Sequence, residues 1–262
     1  MTELSILFVN DINNEKLLTY FINDDEIKDY FKIHNFNGKK KEMLLVPKQY
    51  LKDSKDTLLI SISEISNDFD ACYLGAVART KINSECNITY ETGLVDFSQV
   101  ESFTLGMLLS GYKFDKYLSK KNDSEEITLD KSIVKSEQQI TRDAIYFVRD
   151  LVNTPTLDKT PEYFIDEVKK LIQNEDISLD IHNKEWLQNE GFGGVIGVSQ
   201  GSAKEPYLLV GEYNKSAKFK VSIIGKGVLF DTGGYSLKSP SGMETMKTDM
   251  AGAATAWGII KL

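Results

Sequence analysis

Four side chains in one short stretch could do chemistry together: Lys226, Asp231, Lys238 and Asp249. They sit in Gly225-Lys226-Gly227-Val228-Leu229-Phe230-Asp231-Thr232-Gly233-Gly234, in Leu237-Lys238, and in Met246-Lys247-Thr248-Asp249-Met250-Ala251-Gly252-Ala253-Ala254. The glycines allow tight turns and close backbone approach. A phosphate loop is excluded, because Gly227 stands where Ser or Thr must follow the lysine. The dinucleotide fingerprint fails at Phe230, and Gly191–Gly197 fails it in the same way. Two carboxylates can hold divalent cations. A lysine amine can join them only when deprotonated, which a pair of cations could enforce. Lys238 could place positive charge where an oxyanion develops. Two surface Lys–Asp pairs would have the same spacing and contribute little. Spacing alone leaves both readings open.

Other chemistry is scarce. His34 and His182 lie in unrelated surroundings, which excludes a histidine-based metal site and a Ser-His-Asp triad. Cys72 and Cys86 cannot form a disulfide framework and read as small buried hydrophobes, suited to a reducing, cytoplasmic setting. Acidic residues outnumber basic ones 39 to 31, for a net charge of −8. The arginines are Arg79, Arg142 and Arg149 alone. This balance speaks against nucleic-acid and anionic-membrane partners. The run Lys39-Lys40-Lys41 reads as a solvated turn. No apolar stretch reaches the ~20 residues of a membrane span.

The elements that must position the four side chains follow from apolar periodicity. Ser5–Val9, Glu42–Pro47 and Thr57–Ser61 are short, β-branched apolar runs and predict strands. Helical spacing covers Asp70–Lys81 and Ser98–Tyr112. Phe114–Thr128 is polar and marks a boundary. A long helix is expected over Ser136–Val152, where Ile140, Ala144, Phe147, Val148 and Leu151 share a face. It must stop before Pro155. Thr160-Pro161-Glu162 starts the next helix. Strands buried on both faces are predicted at Ile177–Ile181, Gly194–Val198, Tyr207–Tyr213 and Phe219–Ile224, and a helix from Met250 to Leu262. The order gives two α/β domains: residues 1–125, a linker helix region 126–152, and residues 153–262.

The motifs, in their fixed order, resemble the leucyl (cytosol) aminopeptidase family of dinuclear-metal peptidases. Arg149-Asp150-Leu151-Val152-Asn153-Thr154-Pro155 resembles the opening of that family's catalytic domain. Gly191–Gly201, running into Val198-Ser199-Gln200-Gly201-Ser202, resembles its middle motif, and 225–254 its metal-binding core. In the first domain only Gly111-Tyr112-Lys113-Phe114-Asp115 looks familial. The resemblance implies a metal-dependent aminopeptidase acting on peptides through two divalent ions, Zn or Mn, and a bridging hydroxide. It implies Lys226, Asp231 and Asp249 as metal ligands, with Asp249 also meeting the substrate α-amine. It implies Lys238 as the catalytic lysine and Met246 as a wall of the pocket for the N-terminal side chain. Core packing is the other reading of Met246.

The resemblance also implies a mixed, mainly parallel sheet in the catalytic domain, a cytoplasmic homo-hexamer, and a later Asn-Thr-Asp-Ala-Glu-Gly-Arg motif. That motif supplies an Asp and a Glu to the metals and an Arg that holds bicarbonate. No such motif occurs in these residues. The expectation is therefore an incomplete catalytic domain, inactive by itself. A non-catalytic binding protein, or a truncated subunit of the same family, is the alternative.

Overall fold

The computed structural model describes residues 2–53, 55–82, 86–91, 94–119 and 127–262. It divides into two compact units, residues 1–142 and 143–262. Part of the polar boundary stretch, residues 120–126, lies outside the described residues.

The first unit runs β1 (Thr2–Val9), α1 (Glu15–Leu18), α2 (Asp24–Ile33), β2 (Met43–Val46), β3 (Asp56–Ser61), α3 (Asp68–Thr80), β4 (Cys86–Glu91), α4 (Val100–Leu109) and β5 (Ile127–Leu129). Its sheet has the order β2-β3-β1-β4-β5 and is parallel except for the β2–β3 pair. Central β1 is apolar at consecutive positions because both of its faces are covered. Ile6 and Phe8 pack on one side with Leu74, Phe103 and Met107 of α3 and α4. Leu7 and Val9 pack on the other with Leu17, Ile27 and Phe31 of α1 and α2. The period of two along a strand produces that split. The helices start where side chains satisfy free amides: Asn67 accepts from Asp70 N at 2.8 Å, and Asn23 from Asp25 N at 3.0 Å.

The boundary between the units falls within α5 (Ser136–Asn153). Then follow α6 (Pro161–Leu171), β6 (Ile177–His182), α7 (Lys184–Asn189), α8 (Gly193–Ser199), β7 (Leu208–Tyr213), α9 (Pro240–Met243), a 3₁₀ turn at Met246–Thr248, and α10 (Ala251–Lys261). Thr160 caps α6, accepting from Tyr163 N at 3.2 Å, and Pro161 occupies its first turn. The core of the second unit joins Leu151 of α5, Phe164 and Val168 of α6, and Met250, Ala254 and Trp257.

Three expectations for this unit need correction. Gly194–Val198 is helix, not strand; a short apolar run does not separate the two, and local bonds such as Ile196 N to Phe192 O at 3.1 Å satisfy its backbone. Phe219–Ile224 forms no strand, and Phe219, Val221 and Ile224 are 83%, 88% and 94% exposed. A strand needs a neighbour to complete its ladder, and among the described residues none pairs with it. Strands β6 and β7 are half-buried and pair antiparallel with each other alone, so among the described residues mainly parallel pairing belongs to the first unit.

Lys159 is fully buried between α5 and α6. Burial, together with the Lys247 charge, brings its pKa from 10.5 down to about 8. Below about pH 8 this side chain is protonated both folded and unfolded and adds no pH slope. Between about 8 and 10.5 only the unfolded chain keeps the proton, so its contribution to stability rises with pH. Across that window the gain approaches about 3 kcal/mol. Urea unfolding of wild type and Lys159→Met at about pH 7 and about pH 9.5 should show their difference shifting toward wild type at the higher pH. A pH-independent difference would refute this.

Candidate metal centre

The loop after Ile224 is held against the start of α10. Ala253 N donates to Lys226 O at 2.8 Å. Met250, the N-cap of α10, makes no side-chain capping bond, so the Lys226 carbonyl satisfies one of the free amides of that helix end. The approach requires glycine at 225. A Cβ there would lie 2.3 Å from Gly252 O and 2.5 Å from Ala253 Cα. Lys226 is thereby set beside the residue that precedes the helix: its Nζ lies 2.9 Å from Asp249 Oδ2.

A second turn brings Asp231 and Lys238 together. Asp231 Oδ1 accepts from Gly233 N at 2.8 Å, and Lys238 N returns to Thr232 O at 2.9 Å. Gly233 has φ +90°, a backbone state that a side chain would strain. The turn points Lys238 Nζ at Asp231 Oδ2, 2.5 Å away, and the same ammonium meets Met246 Sδ at 3.0 Å. The four chemistry-bearing residues and Met246 are thus gathered by two turns and the 3₁₀ turn at Met246–Thr248.

The electrostatics are those of interleaved opposite charges. Lys226 is pushed above its ordinary pKa, first by its bond to Asp249 and further by the charge of Asp231. Asp231 is held below the usual carboxylate range, first by Lys238, then by the Gly233 amide and the charge of Lys226. Lys226 is therefore protonated here and must lose its proton to serve as a ligand.

The donor set fits a cation. Asp249 Oδ2 is buried and meets the Lys226 ammonium at 2.9 Å. A buried carboxylate oxygen is costly without a partner, and a divalent ion would take over that role once Lys226 loses its proton. Lysine and aspartate make up the cluster; among the described residues no group of three or more His, Cys, Asp or Glu could hold a metal. The competing reading, plain surface ion pairs, suits Lys226, whose side chain is 59% exposed, but not Asp249, at 19%.

One member of this region was not legible in sequence. Lys247 Nζ reaches Asn153 O at 3.3 Å, so the turn is tied to the end of α5. No local pattern signalled it, because 94 residues separate Lys247 from Asn153.

Comparison with known proteins converges on one group. Residues 146–262 match the catalytic domain of the cytosol aminopeptidase family. A probable cytosol aminopeptidase of Wolbachia pipientis wMel is 36% identical over 169 residues, covering 59% of this chain and 34% of that protein. The corresponding Sinorhizobium medicae protein is 31% identical over 254 residues, covering 87% of this chain and 50% of the relative. The chain thus spans between a third and half of these relatives. Among solved structures, the Coxiella burnetii cytosol aminopeptidase superposes with a TM-score of 0.81 at 23% identity, covering 99% of this chain and 55% of that one. A bottromycin maturation enzyme in complex with Mn gives 0.77 at 20% identity, covering 100% and 56%. At such identities the structural likeness concerns the fold.

Proposed function

We propose that this chain, whose residues 146–262 belong to the cytosol aminopeptidase family, carries part of the active centre of a metal-dependent aminopeptidase. The enzyme would release leucine-type N-terminal residues from peptides. The carrying observation is the convergence of Lys226, Asp231, Lys238 and Asp249, with Asp249 Oδ2 buried against the Lys226 ammonium. Lys226, Asp231 and Asp249 would hold two divalent ions, Zn or Mn. When bound, such ions supply Lewis acidity toward the peptide carbonyl and a water of lowered pKa.

The chain's own residues do the rest. Lys226 would release its proton to solvent on metal binding and offer its amine lone pair as a ligand. Lys238 keeps its ammonium beside Asp231 and stabilises negative charge developing on the carbonyl oxygen. Asp249 also meets the free α-amine of the substrate, which fixes the N-terminus. Met246, against Lys238, lines the pocket for the first side chain, where a thioether adapts to varied apolar shapes. The resemblance requires a further Asp, Glu and Arg, the last holding bicarbonate, so we expect residues 1–262 alone to be inactive.

Peptide substrates, a cytoplasmic location and a homo-hexamer belong to the same proposal. Among the described residues no helix is long and apolar enough to cross a membrane. A nucleic-acid role is disfavoured. Lys40 and Lys41 of the basic run sit 3.7 and 3.5 Å from Asp70, which offsets their charge.

The test is hydrolysis of leucine-p-nitroanilide by the full open reading frame containing these residues, with Mn²⁺, with Zn²⁺ and after chelation. Metal-dependent turnover is expected from that protein and none from residues 1–262. An inert or chelator-indifferent full protein refutes the enzyme reading. Turnover by residues 1–262 refutes the need for further ligands.

A further inference from the structure

The turn Met246–Asp249 carries two of the five site residues, and a buried lysine distant in sequence holds it. Lys159 Nζ donates to Lys247 O at 2.5 Å, to Leu151 O at 2.8 Å and to Met250 Sδ at 3.3 Å. Lys247 Nζ returns to Asn153 O at 3.3 Å. The two ammonium groups therefore meet carbonyls at the negative end of α5, where cations are favoured. At the same time they fasten the turn to that helix.

Burying an ammonium is costly, and an apolar side chain of equal length would fill the same space more cheaply. Asp249 Oδ2 meets the mobile, 59% exposed Lys226 side chain at 2.9 Å. The fixed part of its direction comes from the backbone of its turn, and the Lys247 carbonyl is a point at which that backbone is gripped.

We propose that Lys159 is a positioning residue: its ammonium clamps the Met246–Asp249 turn onto the end of α5 and so aims the Asp249 carboxylate at the ion it would hold. This rests on the metal reading above. Lys159 touches neither substrate nor metal in this scheme; it acts through the Lys247 carbonyl.

The test is titration of the protein made from the full open reading frame containing these residues with Co²⁺, followed by calorimetry and by the visible absorption of the bound ion. Wild type should bind, and Asp249→Asn should not. Lys159→Met should bind about 10- to 100-fold more weakly, as for other outer residues that orient a ligand, with altered Co²⁺ band intensities. A purely structural role would shift the melting temperature but leave the affinity and spectrum of the folded protein unchanged. Should Lys159→Met fail to fold, Lys159→Gln carries the test, because its shorter side chain cannot span from Leu151 O to Lys247 O. Wild-type affinity and spectrum in the folded variant, with binding lost in Asp249→Asn, overturn this inference alone. No Co²⁺ binding by wild type overturns it together with the metal reading.

Discussion

Lys238→Met in the metal-loaded, full-length enzyme should lower kcat for leucine-p-nitroanilide by about 10²- to 10³-fold, the loss typical when one donor to a developing oxyanion is removed. The reasoning starts from position. Lys238 Nζ is held by Asp231 Oδ2 at 2.5 Å and Met246 Sδ at 3.0 Å, so the ammonium is oriented before substrate arrives. Methionine keeps most of the length and the apolar body of the side chain and removes the charge with its hydrogen-bond donors. KM should change little, because charge on the oxygen grows in the transition state and is small in the bound peptide. Mn²⁺ affinity should be retained, since Asp231 keeps both oxygens. Steady-state kinetics with a parallel Mn²⁺ titration separate the two effects. A kcat within about threefold of wild type would remove Lys238 from the chemistry, because that change lies far below the loss expected for an oxyanion donor.

The second large effect is on folding. Gly225→Val should destabilise the chain by at least about 2 kcal/mol, measured by urea unfolding of residues 1–262. The Cβ would press on Gly252 O and Ala253 Cα, both backbone atoms of the first turn of α10, which cannot rotate away as a side chain can. Relief requires the loop to move off the helix. That breaks the Ala253 N to Lys226 O bond and draws Lys226 away from Asp249. Gly201→Ala is the control: a Cβ there meets nothing within 4 Å, so a change within about 0.5 kcal/mol is expected. Equal stability of Gly225→Val and wild type would show that the loop does not depend on this close approach.

Local chemistry was readable wherever the signal lay within a few residues. The α6 start at Thr160-Pro161 and the strand over Ser5–Val9 were both evident, because a cap and a short β-branched apolar run act over a few residues. The stretches at 194–198 and 219–224 were misread for the converse reason. A strand is defined by its neighbour, and composition says only that a segment is apolar. Exposed Val221 and Ile224 carry the same residue types as buried Ile6 and Val9. What differs is whether another strand lies alongside.

The candidate site divides along the same line. The residue types at 226, 231, 238 and 249, their glycine-rich spacing and the family they resemble were set by the sequence alone, since a ligand set is a matter of which donors the chain offers. Which carboxylate faces which ammonium, the burial of Asp249 Oδ2 and the grip of Lys159 on Lys247 O were decided only by the fold. Lys159 lies 88 residues before the carbonyl it holds. No local pattern marks such a pair. The packing of α5, α6 and the turn before α10 around one core brings them within hydrogen-bonding distance, and the low-dielectric interior then makes that contact matter.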